Sequence, residues 1–291
     1  MATPDQGSEQ VRPDYGCWLR GTLIFLAVLV VARFVLEIAG VSPAITRFVS
    51  SSAGVFLAAI YLGAVAPLRR VTKFVQLVLP AVAVSAWTVG WVILATLVSG
   101  VFRLERSHFA GKADYGNWGH LGHHVLEHVV EIGVVAIVAL ILMAIPFFLR
   151  HWPVTVGPGA LLGALVVVRY WVEAMGLEPW RAAAWSSTVA VLLCGFYLGG
   201  ICPYLGRCAP KHLLAPALVL GWMWRLWVFI ATVVSALLPF YKTHFFDPTK
   251  GRVAVRLAQF LGGSVVEGFI AGLIVWGIAV WIARATRPAA T

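Results

Sequence analysis

The sequence predicts an all-α integral membrane protein of about eight transmembrane helices, arranged as two tandem parallel four-helix repeats. Three observations carry this expectation. Of the 291 residues, 60% are hydrophobic and only 12% are charged, with a mean hydropathy of +0.88, which is more apolar surface than one soluble core accounts for. Apolar runs approaching the ~20 residues of a spanning helix recur along the whole chain. The second half also repeats the first at a constant shift of 136 residues.

In chain order, residues 1–17 (MATPDQGSEQVRPDYGC) are polar and lack the basic start, short apolar core and small-residue cleavage site of a signal peptide. They read as a flexible cytoplasmic tail. Spans follow at about 19–39, 52–67, 75–102 and 121–149, then at 159–176, 186–203, 213–240 and 255–283. The second is short and the fourth, seventh and eighth are long, so tilt or local irregularity is expected there.

The repeat is visible when VVARFVLEIAGVSP (30–43) is set over VVVRYWVEAMGLEP (166–179). Without a gap, Ser50 and Ser51 fall on Ser186 and Ser187, YLGAVAP (61–67) on YLGGICP (197–203), and WVILATLVS (91–99) on WVFIATVVS (227–235). Within 30–67, 14 of 38 aligned positions are identical. Duplication and fusion divide the membrane part into repeats at 18–153 and 154–291. Four spans per repeat is an even number, so the repeats are parallel and a pseudo-two-fold axis along the membrane normal is expected.

Eight spans put both termini on one face, whose loops carry Arg69, Arg70, Lys73, Arg150, Arg207, Lys211, Arg284 and Arg287 with no acidic residue. Both termini are therefore expected in the cytoplasm, although the opposite loops also hold basic residues. Basic helix ends facing anionic lipid account for the formal charge of +10. The lipid bilayer is the expected partner, nucleic acid is not, and homo-oligomers or partners in a membrane complex stay open. Cys17, Cys194, Cys202 and Cys208 lie in, or at the inner end of, cytoplasm-facing segments and are expected reduced.

Ionisable side chains inside spans cost about 2.5–3.5 kcal/mol on insertion scales, so each is a candidate for function. Here they come in pairs. Arg33 and Glu37 share a helix face four residues apart, and Arg169 and Glu173 repeat them. Glu131 and Glu267 stand deeper, and Arg225 in WMWRLWVF, where the shift places Val89 in the first half, could pair with a glutamate or stack on Trp222, Trp224 or Trp227. His108 and His244 lie just beyond the third and seventh spans.

GHLGHHVLEHVVE (119–131) brings four histidines and two glutamates into the fourth span. At ~100° per residue, His120, His124, Glu127, His128 and Glu131 form one polar stripe. Imidazole and carboxylate suit a divalent transition metal, with His108 as the best ligand from elsewhere, and the same groups suit a proton relay. The second repeat offers RLAQFLGGSVVE instead, keeping only Glu267. HLGHH is similar to the HxxHH element of membrane-bound fatty-acid desaturases and hydroxylases, but the likeness covers five residues. The other histidine boxes of those families are missing, because His151, His212 and His244 are isolated.

The function these features favour is transport or channelling of a small ion or solute through a polar His/Glu cavity between the repeats. Its polar set is Arg33, Glu37, Glu131, Arg169, Glu173, Arg225 and Glu267. The alternatives are a metal- or haem-binding membrane enzyme or redox subunit, and a structural subunit of a larger complex.

Overall fold

Among the described residues, eight helices are long and apolar enough to cross a bilayer, which makes the chain a multi-pass membrane protein. The computed structural model describes residues 15–206, 209–238, 242–247 and 252–286. Within these the chain is all-helical, with an isolated bridge between Thr243 and Phe246 as its β feature. The first fourteen residues of the expected tail, together with Arg207, Cys208, Lys250 and Arg287, lie outside the described residues.

The long helices are α1 (Tyr15–Ile38), α2 (Ser51–Val65), α3 (Val78–Val101), α4 (Trp118–Phe148), α5 (Pro153–Ala174), α6 (Ser187–Ile201), α7 (Pro210–Leu237) and α8 (Val253–Ala285). At ~1.5 Å per residue the 15 residues of α2 fall short of a bilayer. A one-turn helix at Pro43–Thr46 and a 3-10 turn at Ala66–Arg69 extend it, so the second candidate span runs Pro43–Arg69. Irregularity in the long helices takes the form of prolines inside α4 (Pro146) and α7 (Pro216), and α5 carries Pro158.

The ends of α1 and α5 are built alike. Gly40 and Gly176 adopt left-handed φ values of 82° and 94°, and their N–H groups bond the carbonyls of Glu37 and Glu173 at 2.9 and 2.8 Å. Only glycine enters that conformation without a Cβ penalty. The turn therefore fixes each glutamate in the last turn of its helix, facing the loops that follow α3 and α7.

Packing joins α1 to α2 and α3, and α4 to α2 and α3; it likewise joins α5 to α6 and α7, and α8 to α6 and α7. Gly63 lets α2 and α4 touch backbone to backbone, since a Cβ there would run into the Met143 carbonyl. The halves meet where α5 lies against α2 and α4. A two-fold axis would also bring α1 toward α6; among the described residues the extensive contacts between the halves are those of α5, which walls the first half.

Candidate functional site

Where α1 ends, α2 begins, α3 ends and α4 begins, a cavity of about 320 Å³ opens. Arg33 enters it from α1, Ser50, Ser51 and Ser52 from the start of α2, and Thr88 from α3. His108 comes from the loop after α3, His124, His128 and Glu131 from α4, and Trp171 and Met175 from α5. Spacings of four and three residues place the three α4 side chains on one helix face. The cavity is built mostly by the first half, with α5 and the residue after it, Met175, supplying the second half's share of the lining.

Each cavity histidine is anchored through Nδ1 to a carboxylate. His108 Nδ1 is 2.7 Å from Glu37 Oε2, and the His108 backbone N–H bonds the same oxygen at 3.0 Å. Arg33 Nε donates to the other Glu37 oxygen at 3.2 Å. His124 Nδ1 lies 3.1 Å from Asp114, and His128 Nδ1 lies 3.0 Å from Glu131. An ionised carboxylate only accepts hydrogen bonds, so each Nδ1 carries the proton, which leaves the Nε2 of His108 and His124 to take a proton or a ligand. His124 and His128 stack with centroids 5.0 Å apart, and the His128 Nε2 is hydrogen-bonded to the Thr96 hydroxyl at 3.5 Å.

Asp114 organises the entrance. It is 3% exposed, accepts the Gly111 N–H at 2.7 Å and holds His120 Nδ1 at 2.9 Å as well as His124. Burial pushes its carboxyl up, but the Gly111 N–H and the two imidazoles outweigh that and hold it below its ordinary 3.8. His108 also titrates below its ordinary value: burial disfavours the imidazolium, the Glu37 hydrogen bond opposes this, and the nearby Arg33 charge adds to it.

The second half holds an anchor of the same kind. His244 bonds Glu173 Oε2 through Nδ1 at 2.6 Å and through its backbone N–H at 2.9 Å, while Arg169 holds the other oxygen at 3.1 Å. At the positions matching Thr88, Val89, His124 and His128 stand Trp224, Arg225, Phe260 and Ser264. Trp224 Nε1 donates to Ser187 Oγ at 2.9 Å. Arg225 pairs with Glu267 at 2.9 Å, donates to Ser264 at 3.3 Å, and lies over the rings of Phe260 and Trp224 at 4.9 and 5.1 Å.

Of the residues singled out in sequence, the structure brings Arg33, His108, His124, His128 and Glu131 to one cavity, with Glu37 behind them. Arg169 and Glu173 pair with each other and with His244, and Arg225 pairs separately with Glu267. His120 sits at the entrance on Asp114. Glu127 leaves the expected stripe and pairs at 3.4 Å with exposed His123, because the last position on the stripe's edge faces outward. Among the described residues no three His, Cys, Asp or Glu side chains are arranged to hold one metal ion, so His108, His120, His124, Glu127 and His128 are not gathered as a ligand set. Sequence reasoning missed Asp114, Thr88, Trp171 and the serines of α2. A signal for Asp114 existed in its place six and ten residues before His120 and His124.

Compared with protein-family models, curated proteins and solved structures, the chain matches none.

Proposed function

We propose that the chain transports a small polar solute or ion, that the first-half cavity is the binding site, and that its carboxylate-anchored histidines take up and release protons with the cargo. The observation that carries this reading is the cavity itself. Charged and titratable groups are placed, at a cost, inside membrane-spanning helices around about 320 Å³ of open space, the small end of the ~300–1,000 Å³ range of ligand sites. A purely structural bundle would close such a space.

We read the two halves as tandem parallel repeats. The reading is supported by recurrence of the arginine–glutamate–histidine anchor at a shift of 136 residues and by the Ser99–Ser107 hydrogen bond of 2.7 Å recurring as Ser235–Thr243 at 2.8 Å. One repeat then keeps the site and the other supplies a rigid wall. Both termini on the cytoplasmic face is the orientation that goes with it.

A divalent transition metal belongs among the cargoes tested, because histidines that ligate metals commonly donate their other ring nitrogen to a carboxylate. The experiment is a melting-temperature screen of the purified protein against small carboxylates, amino acids, inorganic anions, and alkali and divalent cations, at pH 5.5 and 7.5. One class should raise the melting temperature of the wild type, with a pH dependence, and leave Arg33→Ala and His128→Ala unmoved. A folded wild type that no class shifts, or variants that respond equally, would contradict the proposal.

A further inference from the structure

A second groove lies at the opposite membrane face, where α1 begins and α2 ends. Trp18, Gly21, Thr22 and Phe25 recur at three- and four-residue intervals, so they share the face of α1 that meets Leu57, Ala58 and Tyr61 of α2. The space between them is about 470 Å³, with Arg69 at its mouth. Gly21 keeps the trough open, as a Cβ there would meet nothing within 4 Å.

Trp18 is 4% exposed, with its indole N–H buried beneath the groove wall. Its ring is held by stacking on Tyr15 at 6.0 Å, and the Tyr15 hydroxyl donates to the Gln76 carbonyl at 3.2 Å, so the apolar face of the indole is a fixed part of that wall. The donor left for a ligand is Arg69. Arg69 is exposed and makes no ion pair or hydrogen bond among the described residues. Arg70 and Lys73 follow it with no acidic residue nearby in sequence.

We propose that this groove binds one anionic phospholipid, with the phosphate on Arg69 and an acyl chain along Gly21, Phe25, Leu57 and Ala58. The chemistry fits on both sides. A guanidinium is the side chain best matched to phosphate oxygens, while an apolar trough suits a hydrocarbon chain and gives a free anion nothing. The site is private to the first half. The matching positions hold Val154 for Trp18, Pro158 for Thr22 and Leu205 for Arg69, so the proposed phosphate donor is lost there. It stands apart from the histidine cavity and does not depend on what that cavity carries.

The test uses the full chain, purified in detergent and stripped of lipid. Phosphatidylglycerol, phosphatidylcholine with the same acyl chains, or inorganic phosphate is added back, and retained lipid per chain is read by native mass spectrometry beside the melting temperature. The expected result is one phosphatidylglycerol per chain, held in preference to phosphatidylcholine, with no stabilisation by inorganic phosphate. Arg69→Gln should weaken retention by about tenfold or more, the loss of one hydrogen bond to a charged group, while Arg70→Gln retains it. Trp18→Phe keeps the stacking ring and removes only an N–H that the groove does not reach, and should retain the lipid. Because Arg69 is exposed, Arg69→Gln is expected to keep its fold. Equal retention of the two lipids, stabilisation by inorganic phosphate matching that by phosphatidylglycerol, or wild-type retention in Arg69→Gln would overturn the proposal.

Discussion

Truncating Glu173 to alanine should cost far more than truncating any surface carboxylate of this chain. Glu173 is 1% exposed and receives three hydrogen bonds: from Arg169 Nε at 3.1 Å, from the His244 backbone N–H at 2.9 Å and from His244 Nδ1 at 2.6 Å. Removing the carboxylate leaves a guanidinium and two N–H donors without their acceptor beneath the α7–α8 loop. Breaking a buried pair by deleting one partner costs about 3–5 kcal/mol. Glu178 provides the control, since it pairs with Arg181 at 3.5 Å with its side chain 60% exposed, and such a pair contributes about 0–1 kcal/mol. Thermal unfolding in one detergent, followed by circular dichroism, is the assay. At ~2–4 °C per kcal/mol for chains of roughly this size, Glu173→Ala should melt about 6–20 °C below wild type and Glu178→Ala within about 4 °C of it. Equal melting temperatures for the two variants would refute the idea that the glutamate anchor holds the loop to the helix end.

Three further outcomes are expected. Because His108 titrates below its ordinary 6.5 in the folded chain, the folded state binds fewer protons than the unfolded state in that window. Stability should therefore fall as pH drops from 7.5 through 6.5 toward the folded value, and the melting-temperature loss should be smaller in His108→Gln. Gly63→Leu should destabilise by at least about 1–3 kcal/mol, because its side chain has the Met143 carbonyl in its way; Gly122→Leu, where a Cβ meets nothing within 4 Å, should melt near wild type. Elemental analysis of protein purified without chelator should find no metal at one per chain, since the histidines of α4 are not gathered into a ligand set; stoichiometric metal lost in His124→Ala/His128→Ala would reverse that expectation.

The spans were legible because a bilayer demands long apolar runs, and the runs expected at 19–39 and 75–102 lie within a few residues of the observed Trp18–Ile38 and Phe74–Val101. The pairing of Arg225 with Glu267 was legible as one of two options, and the structure realises both, pair and stack together. The contacts of Glu37 with His108 and of Glu173 with His244 were not legible. Each joins residues 71 apart, and helical periodicity carries no information across two intervening helices. Asp114 was hidden for another reason. It lies in a loop, where a lone acid reads as a solvated charge, and only the fold of residues 111–124 turns it onto two imidazoles. Glu127 shows the limit of arc arithmetic: a stripe ~100° wide has edges, and the edge residue took the outward partner His123.

The central claim is that a solute and protons move together through the first-half cavity. Its most direct test is proton flux in proteoliposomes loaded with a pH-sensitive dye, driven by a gradient of whichever solute class raises the melting temperature. Wild type is compared with His128→Gln, and with Thr88→Trp/Val89→Arg/His124→Phe, which installs second-half side chains in the cavity. The account predicts solute-dependent proton flux in the wild type and its loss in both variants while each keeps its fold. Solute-dependent flux that survives in a folded, plugged variant, or no flux in the wild type under any gradient, would contradict it.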